Sequence, residues 1–168
     1  MSNIFCFPAI AQKDARILIL GSMPGEESLR LGQYYGHRRN SFWFIMGELF
    51  QFDPDVEYRQ RVRKLQENHV ALWDVMHTCV RQGSLDSAIR SDTIVANDFE
   101  GFFTSHPDIK TVFFNGRKAE QEYRKRVLPY LSHKYLQYHA LPSTSPAMAS
   151  LSRAQKLQRW SIIRKPLV

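Results

Sequence analysis

Ala15-Arg16-Ile17-Leu18-Ile19-Leu20, closing on Gly21-Ser22-Met23-Pro24-Gly25, is the stretch that decides the fold. A short run dominated by Ile and Leu and cut off by glycine reads as a buried strand followed by a tight turn. Strands buried on both faces belong to parallel sheets covered by helices. Val70–Val75, Lys110–Phe114 and Tyr135–Leu141 are three more strand candidates. Helical patterns lie between them. Phe42–Phe50 is one, and Asp53 with Pro54 reads as the cap and first position of a charged helix running to about Asn68. A helix from Arg117 carries Ala119, Tyr123 and Val127 on one stripe. A last helix over Leu151–Arg164 sets Leu151, Ala154, Leu157 and Trp160 on one side, with Arg153, Lys156 and Arg159 on others. Ser84 and Asn97 are candidate caps of two short helices. The alternation predicts one domain over residues 1–168, an α/β fold built as a three-layer α/β/α sandwich on a small four-stranded parallel central sheet. In such sheets ligands bind beyond the carboxyl ends of the strands.

The 168 residues suffice for a core without disulfide or metal staples, and 43% hydrophobic with 12% aromatic residues excludes a disordered chain. Cys6 and Cys79 are too few for a four-cysteine cluster, and the six histidines never fall at metal-site spacing, so neither metal nor cofactor is expected. No apolar run reaches the roughly 18 residues of a membrane span. Ile4–Ile10 is apolar but follows no basic segment and is interrupted by Pro8, which argues against a signal peptide; a cytoplasmic protein is expected. The net charge of +7 is unevenly placed: Glu122 is the last acidic residue, and nine Lys/Arg follow it. Such a basic quarter suits a polyanion, although a solvated basic surface without a partner accounts for it equally well.

The loops after the strands hold the chemistry. Gly21–Gly25 is a generic turn or a binding loop; it is neither a P-loop, lacking Lys-Ser/Thr after the glycines, nor a nucleophile elbow. Farther on, Tyr34-Tyr35-Gly36-His37-Arg38-Arg39-Asn40-Ser41-Phe42-Trp43 offers aromatics that can stack on a planar base, arginines for phosphates, and an asparagine that can orient water. Phe42 and Trp43 read first as core; Tyr34 and Tyr35 are open to either reading. Asn115 precedes Gly116 and is a turn residue or a base-edge reader. Asp74 and Asp86 supply carboxylates, a type more often found as caps or on the surface than in catalysis. Leu141-Pro142-Ser143-Thr144-Ser145-Pro146-Ala147-Met148 is a rigid, amide-rich loop ahead of the basic terminal helix.

Together, Leu20–Leu29, Tyr35–Trp43, Arg81–Asp86 and Leu141–Ala147, in this order and spacing, resemble the uracil-DNA glycosylase superfamily and most closely its hypoxanthine-DNA glycosylase branch. The resemblance runs from about Phe7 to Leu157. It implies a monofunctional enzyme of base excision repair that flips a deaminated base, foremost hypoxanthine (deoxyinosine), from double-stranded DNA and hydrolyses its N-glycosidic bond. A uracil or mismatched-thymine glycosylase, and a catalytically idle DNA-binding module, are the alternatives. Under the resemblance Gly21, Ser22, Met23, Pro24 and Gly25 wall the base pocket, Tyr35 stacks on the base, Asn115 reads its edge and Asn40 is catalytic. DNA contacts fall to Arg38, Arg39, Ser143, Thr144, Ser145, Arg153 and Lys156, with Met148 as the wedge filling the vacated stack. A monomer, handing abasic sites to downstream repair enzymes, is the expected form. Two positions depart from the pattern: Ser22 stands where the superfamily often has Asp, Asn or Glu, and Leu141 where many members have His or Asn. Both departures fit the hypoxanthine branch better than vigorous uracil excision.

Overall fold

The computed structural model describes residues 2–168. Its strands are Asn3–Phe5 (β1), Ile17–Gly21 (β2), Val70–Asp74 (β3), Met76–Val80 (β4), Val95–Ala96 (β5), Thr111–Asn115 (β6) and Gln137–Leu141 (β7). Its α-helices are Glu26–Leu31 (α1), Phe42–Phe50 (α2), Tyr58–Glu67 (α3), Phe99–Ser105 (α4), Arg117–Arg126 (α5) and Arg153–Trp160 (α6). Four strands form the expected parallel sheet, in the order β3-β2-β6-β7.

Side-chain alternation along those strands builds the layers. Leu18, Leu20, Val112 and Phe114 point to one face and meet Phe99, Phe102 and Phe103 of α4 and Ala119 and Tyr123 of α5. Ile17, Ile19, Leu72 and Phe113 point to the other and meet Phe42, Ile45 and Met46 of α2, Leu65 of α3 and Trp160 of α6. Each fully buried Leu, Ile, Val, Phe or Met among them is worth about 1.5–3 kcal/mol, so the sheet is held from both sides.

A second, antiparallel sheet in the order β1-β4-β5 was not expected from the sequence. Only Val75 separates β3 from β4, so the reading of Val70–Val75 merged the end of one strand with the bend into the next. Asn3–Phe5, read only as an apolar stretch, pairs with Thr78–Val80.

Several helix boundaries also differ from expectation. Asp53 caps no helix: its carboxylate accepts from the Asp55 amide at 2.9 Å, closing a local turn, and α3 begins at Tyr58. Asp98 rather than Asn97 caps α4, accepting from the Gly101 amide at 3.0 Å. The Asn97 amide instead donates to the backbone carbonyl of Asp74 at 2.7 Å. Ser84 is likewise spent on a tertiary contact, accepting from the Glu26 amide at 2.9 Å. The terminal helix starts at Arg153, after a Ser152–Gln155 capping box, and gives way to a 3₁₀ segment at Ser161. Its buried side carries Lys156 and Trp160 while Ala154 is exposed, a rotation from the expected apolar face.

Candidate active site

Strand register puts four residues in one row at the carboxyl end of the parallel sheet. Gly21 pairs with Asp74 and Asn115 with Leu141, and the β2–β6 pairing of Leu20 with Phe114 sets Gly21 beside Asn115. Gly21, Asn115 and Leu141 were singled out in the sequence, and the sheet brings them together.

The loops around this row are tied to one another. Asn115 and Thr144 exchange two hydrogen bonds: the Thr144 amide donates to Asn115 Oδ1 at 2.9 Å, and Asn115 Nδ2 donates to Thr144 Oγ1 at 3.0 Å. The Thr144 carbonyl accepts from the Ser41 amide at 3.0 Å, which fastens the start of α2 to the β7–α6 loop. Asn40 stands one residue earlier; its Oδ1 accepts from the Phe42 amide at 2.9 Å. That bond fixes the side chain and leaves the Nδ2 hydrogens as donors.

Tyr35 adopts a left-handed backbone conformation (φ 55°), a strained choice for an aromatic residue. Its ring stacks on Phe42, with centroids 4.1 Å apart and planes 26° apart. The hydroxyl reaches Gly21: a β-carbon on Gly21 would lie 3.1 Å from it and 2.6 Å from Asp74 Oδ1. Only glycine therefore fits there without displacing both groups. Phe42 and Trp43 are core, as read; Tyr34 is buried as well, its hydroxyl donating to the Pro8 carbonyl at 2.9 Å.

The Gly21–Gly25 turn is covered by the segment after β4. Ser22 Oγ donates to Asp86 Oδ1 at 2.7 Å, and the Arg81 guanidinium donates to the carbonyls of Pro24 at 2.6 Å and Gly83 at 2.7 Å. Arg81–Asp86, quoted from the sequence as a separate motif, is thus packed on the first one. Met23 and Pro24 are buried beneath it.

Asp74, a carboxylate of a type more often found as a cap or on the surface, is buried instead. It is 4% exposed, and burial first, then the charge of Asp86, push its carboxyl up to about 7 against the pull of Arg81.

On the rim, Arg38 and Arg39 are exposed, and Ser143, Ser145 and Met148 are half-buried on the β7–α6 loop. Hydroxyls of that loop satisfy its own amides, Ser143 Oγ accepting from Ser145 and Ser145 Oγ from Ala147. Lys156, expected on the surface, is 4% exposed and donates from Nζ to the Ser145 carbonyl at 3.1 Å, propping the loop from below. The Arg153 guanidinium lies over Phe44 at 4.9 Å, near Ser41. The basic quarter is further reduced by ion pairs of Arg124 with Glu120 and Arg126 with Glu122. Among the described residues no group of three or more His, Cys, Asp or Glu is placed to hold a metal ion, and no helix is long and apolar enough to cross a membrane. A recess of about 420 Å³ beside Phe7, Tyr34, Tyr58 and Val62 contains none of the strand-end row.

The chain belongs to the uracil DNA glycosylase superfamily, whose family model matches residues 7–164. A hypoxanthine DNA glycosylase of Methanosarcina acetivorans is 36% identical over 159 residues, covering 94% of this chain and 96% of that one. A hypoxanthine DNA glycosylase of Methanosarcina barkeri is 39% identical over 114 residues, 67% of this chain and 71% of that one. The solution structure of an M. acetivorans protein assigned to the uracil DNA glycosylases superposes with a TM-score of 0.82 at 35% identity, covering 99% of both chains.

Proposed function

We propose that the protein is a monofunctional DNA glycosylase that flips a deaminated base, hypoxanthine foremost, from double-stranded DNA and hydrolyses its N-glycosidic bond. The observation that carries this reading is the strand-end row of Asp74, Gly21, Asn115 and Leu141, ringed by loops that Thr144 and Ser22 tie together. The names of the Methanosarcina relatives favour hypoxanthine over uracil, as does Ser22 in place of a carboxylate or amide.

Breaking an N-glycosidic bond builds positive charge on the sugar and negative charge on the base. DNA phosphates offset the first; fixed donors in a dry pocket must stabilise the second. The Gly21–Gly25 turn walls that pocket, and Tyr35, braced on Phe42, presents a rigid aromatic surface to the base. Asn40, its oxygen held by the Phe42 amide, has donor hydrogens to offer to water or base. Asn115 shapes the pocket by gripping Thr144, and its side chain faces the Tyr35 hydroxyl where the base edge would come. Arg38, Arg39, Ser143, Ser145 and Arg153 meet the DNA backbone, Met148 fills the vacated stack, and Lys156 acts from beneath the loop. Flipping costs a few kcal/mol, least at a damaged or mismatched pair, so selectivity begins before the pocket is entered. The enzyme works in this reading as a cofactor-free monomer of one domain in the cytoplasm, handing abasic sites to later repair enzymes.

The test is a panel of labelled duplexes carrying one hypoxanthine, uracil or mismatched thymine, with alkali cleavage to reveal abasic sites. Excision of hypoxanthine well above the others is expected. Preference for uracil or thymine would transfer the protein to the mismatch-type reading, and binding without excision to an idle DNA-binding module.

A further inference from the structure

Asp74 is a buried carboxyl at the strand ends to which the proposed chemistry gives no part. Among the described residues Asp74 Oδ2 is buried with no hydrogen-bond partner, and the equally buried Tyr35 hydroxyl has no well-formed one, Asn115 being a side chain that faces it. Both side chains stand over Gly21, at the end of the sheet where ligands bind. Buried polar atoms in folded proteins are nearly always partnered. Two orphans side by side, next to a ring held ready for stacking, mark a polar edge that a ligand completes.

We infer that Asp74 is a catalytic residue: together with the Tyr35 hydroxyl it receives the edge of the flipped base, and as a neutral carboxylic acid it passes a proton to a ring nitrogen of the departing purine. The inference rests on the glycosylase reading. The C1′–N9 bond breaks and its electron pair goes to the base, which takes the Asp74 proton and leaves neutral. Water adds its hydroxyl to C1′, and the proton it sheds returns to the Asp74 carboxylate. Atoms and charge balance, and the acid is regenerated.

The surroundings suit the task. Facing Asp74 are the Asp86 carboxylate and Arg81 guanidinium from the segment after β4, Tyr34 and Tyr35 from the segment before α2, and the Cys6 thiol from the N-terminal segment. Asp86 is fixed by Ser22, and Arg81 is committed to two backbone carbonyls. Among the described residues no cation forms an ion pair with Asp74, and burial keeps its proton on to about neutral pH against the pull of Arg81.

The test is the pH dependence of single-turnover excision from a hypoxanthine duplex between pH 5.5 and 9, for the wild type and Asp74→Asn. The wild-type rate should fall about tenfold per pH unit above an inflection near 7. Asp74→Asn should be roughly a hundredfold slower and lack that inflection. An Asp74→Asn protein that keeps the wild-type rate or the same inflection overturns the assignment. So does a flat wild-type profile between pH 6 and 8, a result that needs no variant to fold. Excision with a flat profile defeats the role of Asp74 alone, whereas no excision at any pH defeats the glycosylase reading and this inference with it.

Discussion

Asn115 and Thr144 hold each other by two hydrogen bonds across 29 residues of sequence, one from the Thr144 backbone and one from the Asn115 amide. The pair locks the β7–α6 loop to the end of the central sheet, and the Thr144 carbonyl extends the lock to the start of α2. Asn115→Ala would strand the buried Thr144 amide, at a cost of about 1–3 kcal/mol. A thermal melt should fall by roughly 2–4 °C for each kcal/mol, with excision falling further than stability as the loop loses its anchor. Thr144→Val removes the hydroxyl acceptor but keeps the backbone amide bond, and should be milder in both measurements.

Gly21→Ala is the smallest change that disturbs the pocket. The added β-carbon would sit 2.6 Å from Asp74 Oδ1, so the carboxyl or the strand end must move. Overpacking of this kind costs about 1–3 kcal/mol. The protein should remain folded by circular dichroism while excision drops at least roughly tenfold, as misplacing a reacting group demands. Wild-type activity in Gly21→Ala would mean that neither Asp74 nor Tyr35 needs its present position.

Asp74 should also make stability depend on pH in an unusual direction. Its folded-state pKa of about 7 lies above that of an unfolded aspartate, so the folded protein holds a proton that the unfolded chain has released. Stability from this group is therefore complete below about pH 4 and is lost as pH rises through 7, a total of roughly 4 kcal/mol. Asp74→Asn lacks the dependence. Melting temperatures at pH 5 and pH 8 should show the variant gaining on the wild type as pH rises; a constant difference would mean that the carboxyl is not held neutral.

Lysine and arginine substitutions should separate surface contacts from internal supports. Arg38→Ala and Arg39→Ala remove exposed charges and should each weaken DNA binding across all sequences, lowering the salt slope by about 0.9 per lost phosphate contact. Lys156→Ala removes a buried ammonium that props the Ser145 carbonyl. It should lower the melting temperature with little change in the salt slope, and a change in slope as large as that of Arg38→Ala would put Lys156 at the DNA.

Much of the architecture was legible because a parallel strand buried on both faces has few alternatives in sequence. Ile17–Gly21 and Thr111–Asn115 are apolar runs stopped by glycine or asparagine, and Phe42–Phe50 was delimited to the residue. Elements made by tertiary pairing were not. The strand Met76–Val80 has mixed polarity and one residue separating it from its predecessor, and the two residues of Val95–Ala96 are strand only because that neighbour exists. Asp53 and Pro54 are a sound helix start by local chemistry, yet a side-chain turn claims the Asp53 carboxylate first. Lys156 lies on the buried side of its helix, where its ammonium donates a hydrogen bond to the Ser145 carbonyl, which no periodicity announces.

The site shows the same division. Gly21, Asn115 and the Ser143–Ser145 loop were visible as glycine, asparagine and hydroxyl residues immediately after strands, the position where α/β sheets bind ligands. Asp74 occupied the same kind of position, but a carboxylate at a strand end reads as solvated until something covers it. The covering comes from Tyr35, far away in sequence and braced on Phe42, and from the nearby Arg81–Asp86 segment, which is docked by the contacts of Arg81 with Pro24 and of Ser22 with Asp86.

Chemistry on a flipped base at these strand ends makes Asn40 essential to excision. Single-turnover excision from a hypoxanthine duplex, wild type against Asn40→Ala with DNA affinity measured in parallel, tests it most directly. The wild type should give alkali-labile product and Asn40→Ala a loss of roughly a hundredfold or more, as for removing one fixed donor, with binding nearly unchanged. Equal product from both proteins, or none from a wild type that still binds the duplex, would contradict it.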